Sequence, residues 1–133
     1  MCWHLSANSV PDPDSLNDSI NILIKFENGS TGVVGYYANG SKELPKEYVE
    51  IHSDGTSVIL NDFKGLSIYK KGKPFKKKLF NQNKGQKEMV EQFFEGLLKS
   101  GKAPITPEEI FVVTRATFKV LESLKGDGVQ IKI

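Results

Sequence analysis

Alternating apolar residues mark the segment from Asp18 to Ala38 as a β-hairpin. An apolar side chain recurs at every second position of its first half, at Ile20, Ile22, Ile24 and Phe26. This is the period of a strand with one buried face. Asn28-Gly29 follows, and this pair favours a two-residue type I′ loop because both of its residues tolerate positive φ.

A two-residue loop fixes the register of this hairpin. It predicts that Ile24 lies opposite Val33 and Ile22 opposite Gly35. The face with the isoleucines is then apolar and requires a layer of helices over it. The other face combines polar residues with three apolar ones, Leu23, Val34 and Tyr36.

A second group of strands follows a loop from Ala38 to Lys46. We predict strands at 48–53, 66–69 and 75–80, with a type I′ turn at Asp54-Gly55 that joins the first of these to a further strand. Pairing across that turn places Val49 and Ile51 opposite Leu60 and Val58 on one face. His52 and Ser57 then lie on the other face.

Helical periodicity begins only at Met89. One apolar stripe consists of Met89, Val90, Phe93, Phe94, Leu97 and Leu98, and Gly101 ends that helix. Thr106 and Glu109 have the spacing of a capping box, with Pro107 at the first helical position. The second helix is predicted to present Ile110, Val113, Thr117, Val120, Leu121 and Leu124, and Gly126 ends it. A last strand follows at 129–133.

This order of elements predicts an α+β fold. We expect an open, mostly antiparallel sheet of six to seven strands with two helices packed on one face. The 133 residues fit one domain, which we place at 18–133. Residues 1–17, with Pro11 and Pro13, are interpreted as an N-terminal connecting segment in which Trp3 and Leu5 could end a strand.

Composition excludes several classes of protein. A hydrophobic content of 38% supports a packed core, and the net charge of +2 names no partner. No apolar run approaches the ~20 residues of a membrane span. Cys2 is the only cysteine, and the first residues lack the pattern of a signal peptide. We therefore expect a cytoplasmic protein without a membrane partner.

The sequence contains no self-sufficient active site. His4, His52 and Cys2 are too few and too scattered for a zinc cluster. No glycine-rich loop follows a strand, so neither a dinucleotide-binding fingerprint nor a P-loop is present. We predict no catalytic residue, no metal site and no bound cofactor in this chain.

Lysines concentrate in one segment. Nine of the 18 basic residues lie within 64–87 with no acid between them, namely Lys64, Lys70, Lys71, Lys73, Lys76, Lys77, Lys78, Lys84 and Lys87. They could bind a polyanion, but lysines also protect exposed strand edges from aggregation. Because arginine is missing from the cluster, we favour edge protection and expect no nucleic-acid partner.

Five segments in order resemble the carboxyl-terminal domain of the glucose–fructose oxidoreductase/inositol dehydrogenase/rhizopine-catabolism (Gfo/Idh/MocA) family. They are FENGSTGVVGYYANG, LPKEYVEI, NDFKGL, NKGQKEMVEQFFEGL and ATFKVLESLKGDGVQI. The resemblance implies an NAD(P)-dependent sugar or cyclitol oxidoreductase whose cofactor lies in a Rossmann domain. That domain is absent from this sequence, so the resemblance implies a partner Rossmann domain in cis or in trans.

The resemblance also implies roles for two regions of the chain. The loop 38–46 would overhang the substrate pocket, where Asn39, Lys42 and Lys46 could contact a sugar. The outer sheet face, with Leu23, Val34 and Tyr36, would form a homo-oligomer interface. We therefore predict a non-catalytic substrate-side and oligomerisation domain. A free-standing binding or scaffold module built on the same sheet is the alternative.

Overall fold

A computed structural model describes residues 3–9 and 19–133, and it confirms the α+β class. The described residues form two helices and eight strands. These elements are β1 His4–Ser9, β2 Ile20–Lys25, β3 Thr31–Tyr36, β4 Tyr48–Ser53, β5 Thr56–Asn61, β6 Gly65–Tyr69, β7 Phe75–Lys78, α1 Gln86–Ser100, α2 Pro107–Lys125 and β8 Ile131–Lys132.

The strands form two antiparallel sheets of four strands each, instead of the single sheet of six or seven that we expected. Sheet A has the order β3-β2-β1-β8, and sheet B has the order β4-β5-β6-β7. The chain divides accordingly into unit 1, Met1–Gly40 with Ile105–Ile133, and unit 2, Ser41–Pro104.

Strand β1 lies inside sheet A, between β2 and β8. Residues 3–9, which the sequence analysis assigned to a connecting segment, therefore contribute a strand of the sheet. Residues 10–18, and with them the predicted boundary at Asp18, lie outside the described residues. The predicted C-terminal strand is present as β8 at the edge of sheet A, and the Ile133 amide donates to the Trp3 carbonyl at 2.8 Å.

The β2–β3 hairpin has a register that differs by one residue from the predicted one. Ile24 pairs with Gly32 and Ile22 with Val34. The Phe26 amide donates to the Ser30 carbonyl at 2.9 Å, so the loop has three residues rather than two. Only its last residue, Gly29, has a positive φ, which is 85°. The predicted type I′ turn is therefore wrong, because Asn28 does not adopt the left-handed conformation that this turn requires.

Side-chain contacts are consistent with the observed register. The Tyr37 ring lies over Gly35, where an added Cβ would be only 2.8 Å from the ring carbon Cε2. The Tyr37 hydroxyl also donates to Asn21 Oδ1 at 2.6 Å, and Asn21 is the partner of Gly35. Gly35 thus accommodates an aromatic ring that any larger residue would displace.

The core of unit 1 lies between β1 and α2. The buried apolar residues described there are Trp3, Leu5, Ala7 and Val120. A buried hydroxyl joins the two elements: Ser123 Oγ accepts from the Ala7 amide at 2.9 Å and donates to the Val129 carbonyl at 2.6 Å. Every polar atom of this link is therefore paired, as burial requires.

Helix α2 packs with a different face from the predicted one. Val120 and Leu124 do lie against the core, but Ile110, Val113 and Leu121 are more than half exposed. The packed face also contains Val112, Ala116 and Ser123. Small residues allow the helix to approach β1 closely, which a search for large apolar residues did not detect.

Unit 2 confirms the predicted β4–β5 hairpin. Val49 pairs with Leu60 and Ile51 with Val58. Asp54 and Gly55 both have positive φ, 46° and 70°, as a type I′ turn requires.

Helix α1 ends at Gly101 as predicted. Helix α2 packs on sheet A, whereas α1 belongs to unit 2, where none of its residues is buried. Among the described residues, no helix has the length and apolarity needed to cross a bilayer.

Candidate functional site

A strained turn joins β5 to β6. Asp62 and Phe63 both have positive φ, 53° and 50°, and the Lys64 amide closes the turn on the Asn61 carbonyl at 3.0 Å. Such a conformation is uncommon for residues other than glycine, and for a bulky residue it costs roughly 1–3 kcal/mol. Surrounding contacts must therefore hold this turn in place.

Two loops hold the turn from both sides. The Asp62 amide donates to the Glu47 carbonyl at 2.7 Å, and Asp62 Oδ1 accepts from Gln82 Nε2 at 2.6 Å. The Asn83 amide donates to the Phe63 carbonyl at 3.0 Å. Lys84 Nζ lies 5.7 Å from the centroid of the Phe63 ring. The strain is thus offset by four contacts that converge on two residues.

The three segments line an open cavity of about 430 Å³. The sequence analysis predicted two of its residues, Lys42 and Lys46. Charged and polar residues that it missed are Glu43, Glu47, Asp62, Gln82 and Lys84. The cavity therefore brings together three ammonium groups with carboxylates and an amide. We call it the lysine cavity.

The lysine cavity can bind a polar ligand by hydrogen bonds and charge. Lys84 Nζ lies 3.7 Å from Glu47 Oε1, and both side chains are nearly half exposed. Ion pairs of this kind contribute only about 0–1 kcal/mol, so Lys84 remains able to exchange its partner for a ligand. Ammonium groups suit a carboxylate or phosphate, and carboxylates suit sugar hydroxyls.

Asn39 lies in unit 1 and does not line the lysine cavity. Its predicted contact with a substrate stays a prediction. The turn residues Asp62 and Phe63 carried a weak signal in the sequence, because they fall between two short apolar runs where a tight turn is required. The contribution of Gln82 and Lys84 depends on a loop that no periodicity describes.

The predicted interface residues do not share one face. Leu23 pairs with Val33, whereas Val34 pairs with Ile22 and Tyr36 with Ile20. Paired residues project from the same side of a sheet, so Val34 and Tyr36 lie on the face that α2 covers in part. Leu23 lies on the opposite face with Val33 and Tyr37, and all three are more than half exposed.

Unit 1 has a cavity of its own, beneath α2. It measures about 750 Å³ and is mainly apolar, with Trp3, Leu5, Ile22, Ile24, Val112 and Val120 among its lining residues. The buried Nε1 of Trp3 has no hydrogen-bond partner. Glu108 and Glu109 are the charged residues of its lining. This cavity has no cluster of groups able to recognise a polar substrate.

The two histidines lie apart from both cavities. His52 Nδ1 is 2.9 Å from Ser57 Oγ, and His52 Nε2 is 3.2 Å from Glu50 Oε1. The His52 side chain is 64% exposed, and neither His52 nor Ser57 lines a cavity with oxyanion donors. We interpret this set as a surface network. Within the described part of the chain, no three potential ligands cluster as a metal site would require.

No protein-family model matches this chain, and no curated protein sequence does so either. Solved structures do match. A protein from Thermotoga maritima assigned as an oxidoreductase aligns with a TM-score of 0.73 and 14% identity, over 100% of this chain and 41% of its own.

Two further structures give the same result. An oxidoreductase from Agrobacterium radiobacter, solved with NAD+, L-tartaric acid and magnesium, has a TM-score of 0.74 and 14% identity, over 96% of this chain and 42% of its own. An aldose-aldose oxidoreductase from Caulobacter crescentus, complexed with glycerol, has a TM-score of 0.68 and 15% identity, over 98% and 41%. The chain shares the fold of part of each of these proteins. It spans about two-fifths of the length of these proteins.

Proposed function

We propose that this chain is the substrate-side and oligomerisation domain of an NAD(P)-dependent oxidoreductase of sugars or cyclitols, of the Gfo/Idh/MocA type. The observation that carries the proposal is the fold match to three oxidoreductases over nearly the whole chain. One of these was solved with NAD+ and another is an aldose-aldose oxidoreductase. The five sequence segments that resemble the family support the same assignment.

The cofactor would be held by a Rossmann domain, supplied by a longer chain or by a separate protein. The sequence has no glycine-rich turn between a strand and a helix, which is the element that binds the pyrophosphate of NAD or NADP. Calorimetric titration of this chain with either dinucleotide should therefore show no binding. Micromolar binding to the chain alone would contradict this division of labour.

The coding sequence upstream of Met1 provides the decisive test. The proposal expects it to encode a dinucleotide-binding domain that reduces NAD or NADP with a sugar or cyclitol when joined to, or mixed with, this chain. If no such domain is encoded there and no combination has activity, the proposal fails. A free-standing binding or scaffold module would then be the better description.

The lysine cavity would form part of the substrate site in that enzyme. Lys42→Ala and Lys46→Ala should each raise the KM of the sugar by roughly tenfold at nearly unchanged kcat, because each loses a charged donor that contributes equally to ground-state and transition-state binding. Lys102→Ala removes the same charge at an exposed position outside the cavity and should leave KM unchanged. Equal effects of all three substitutions would argue for bulk charge instead.

Self-association would use the face of sheet A that carries Leu23. Leu23, Val33 and Tyr37 are 54%, 73% and 56% exposed, which leaves an apolar patch of the kind that marks interaction sites. A closed dimer is symmetric, so each patch would meet its own copy. This assignment keeps Leu23 from the predicted interface. It replaces Val34 and Tyr36 with Val33 and Tyr37, because the observed register places these two on the same face as Leu23.

Two paired residues, Leu23 of β2 and Val33 of β3, test this interface. Val33→Glu and Leu23→Glu place like charges near the symmetry axis and should yield folded monomers in sedimentation experiments. Tyr36→Glu changes a residue that is 59% exposed on the opposite face, and that variant should still associate. A monomeric unmutated chain at tens of micromolar would refute the interface. Loss of association only in Tyr36→Glu would move it to the other face.

A further inference from the structure

The polar face of sheet B carries a groove of about 680 Å³. Its floor is made by small residues of β6, Gly65 and Ser67, with Asn61 paired to Gly65. Tyr48 and Tyr69 also line it. Desolvation raises the pKa of Tyr48, and its hydrogen bond to Glu50 at 3.2 Å acts in the same direction. The phenol therefore stays protonated, and the groove combines aromatic surface with neutral hydrogen-bonding groups.

Lysines of the edge strand β7 supply the charge of this groove. Lys76 pairs with Ser67 and Lys78 with Gly65, so both project on the groove face. Lys76 Nζ lies 5.9 Å from the centroid of the Tyr69 ring. Lys64 and Lys77 also line the groove, and Asp62 is the one acid of the lining. The position of β7 at the sheet edge agrees with edge protection, yet the pairing directs two of its lysines over a floor of small residues.

The groove and the lysine cavity adjoin each other, since Pro45 and Asp62 line both. We infer that the groove binds an anionic sugar, a ring bearing a carboxylate or phosphate, with Lys76 and Lys78 on the anionic group and Tyr48, Asn61 and Ser67 toward the ring. This inference rests on the proposed function and names the class of its substrate as negatively charged. Neutral sugars give no reason for the seven lysines that line the two adjoining cavities, against the three acids Glu43, Glu47 and Asp62.

Direct binding to the purified chain tests the inference without any cofactor or turnover. Calorimetry or NMR titration is carried out with three ligands. They are glucuronate, glucose, which has a neutral hydroxymethyl group in place of the carboxylate, and inorganic phosphate. Glucuronate should bind at least roughly tenfold more tightly than either of the others, because only it presents both ring and charge. If glucose binds as tightly as glucuronate, the ligand is not selected for its negative charge and the inference is overturned. If phosphate binds as tightly as glucuronate, the groove is an anion site that does not recognise a sugar, and the inference is overturned as well.

Matched lysine pairs locate the site. Lys76→Ala with Lys78→Ala should weaken glucuronate binding by roughly tenfold or more. Lys70→Ala with Lys73→Ala removes the same charge from the β6–β7 connection, outside the groove lining, and should have little effect. Ser67→Leu fills the floor of the groove without changing any charge, and it should abolish glucuronate binding. Equal losses from both lysine pairs would overturn the groove as the site.

A nucleic acid is the competing ligand of a lysine-rich strand with tyrosines. Titration with oligothymidylate should show only weak binding that disappears as salt rises. The Lys76/Lys78 and Lys70/Lys73 double variants should weaken this binding equally. Tight binding that depends on the Lys76–Lys78 pair would overturn the sugar assignment. Failure of glucuronate to bind would refute this inference alone, whereas absence of dehydrogenase activity with bound sugar would refute the proposed function alone.

Discussion

The two units differ in what covers their sheets. In unit 1, α2 packs on sheet A, and Leu5 and Ala7 are 1% and 0% exposed. In unit 2, which is described throughout, no side chain is buried, and Val49 and Ile51 on the apolar face of sheet B are 43% and 56% exposed. Both units contain one amphipathic helix, so an apolar stripe alone does not produce a core.

The two helices differ in the size of the residues in their stripes. The packed face of α2 includes Ala116 and Ser123, and Ser123 bonds directly to the backbone of β1. The stripe of α1 contains large residues throughout, and Phe93 and Phe94 contact each other edge to face at 5.7 Å between ring centroids. Close approach of a helix to a strand requires small residues at the contact, and α2 has them.

Hydrogen exchange should show the largest difference between the units. Amides of β1 and β2 lie under a helix, so they should exchange only through extensive unfolding of unit 1. Amides of β4 to β7 lie in a sheet without buried side chains and should exchange through local opening at much lower free energy. Equal protection in both sheets would show that unit 2 has a cover in solution that matches α2.

Truncation of a buried residue tests the same comparison through stability. Leu5→Ala should lower the free energy of unfolding of unit 1 by about 2–5 kcal/mol, because it leaves a cavity beneath α2. Ile51→Ala, at a half-exposed position on sheet B, should cost less than about 1 kcal/mol. Urea titrations that follow Trp3 fluorescence for unit 1 and hydrogen exchange for unit 2 provide the measurement. Comparable losses at both positions would contradict the comparison.

Two serines sharpen the contrast in hydrogen bonding. Ser123→Ala should cost about 1–3 kcal/mol, because it leaves the Ala7 amide and the Val129 carbonyl without partners in a buried site. Ser100 Oγ donates to the Gly96 carbonyl at 2.9 Å in α1, but this bond is exposed. Ser100→Ala should therefore change stability by less than about 0.5 kcal/mol. A small effect at Ser123 would show that water replaces the lost hydroxyl.

The smallest expected effect is a dependence of folding stability on pH, which arises from carboxyl groups at the two helix N-termini. Hydrogen bonds from the Thr106 backbone and hydroxyl lower the pKa of Glu109 below its ordinary 4.5. In α1, hydrogen bonds from the backbone amide of Glu88 itself and from the Asn83 side chain lower the pKa of the Glu88 carboxyl. A carboxyl whose folded pKa is lowered stabilises the fold above the unfolded value, and this contribution is lost as pH falls through the folded pKa.

Stability measured from about pH 6 to about pH 3 should therefore fall, and Glu109→Gln should flatten part of that fall for unit 1. Glu88→Gln is the matched control, since it should flatten only the response of unit 2. Thr106→Ala removes the capping box itself and should cost about 1 kcal/mol at neutral pH. An unchanged pH profile in Glu109→Gln would show that the carboxylate contributes nothing to the cap.

By itself, the sequence determined the features that depend on a few adjacent residues. Asp54-Gly55 forms the predicted turn, and that turn sets the β4–β5 register. Thr106 and Glu109 form the predicted capping box, and Gly101 ends α1 in the left-handed conformation. These outcomes follow from local φ preferences and from hydrogen bonds within one turn of chain, so they are readable without any partner surface.

Only the tertiary structure decided which surfaces meet. The β2–β3 register depends on the Tyr37 ring over Gly35 and on a loop in which Gly29 alone is left-handed. The packed face of α2 depends on a serine bonded to a distant strand, Ser123 to Ala7. The lysine cavity depends on loops that converge on the strained residue Phe63. Each of these features depends on contacts between different segments of the chain. Such contacts stabilise the fold only after the segments have packed together, so the local sequence pattern does not predict them.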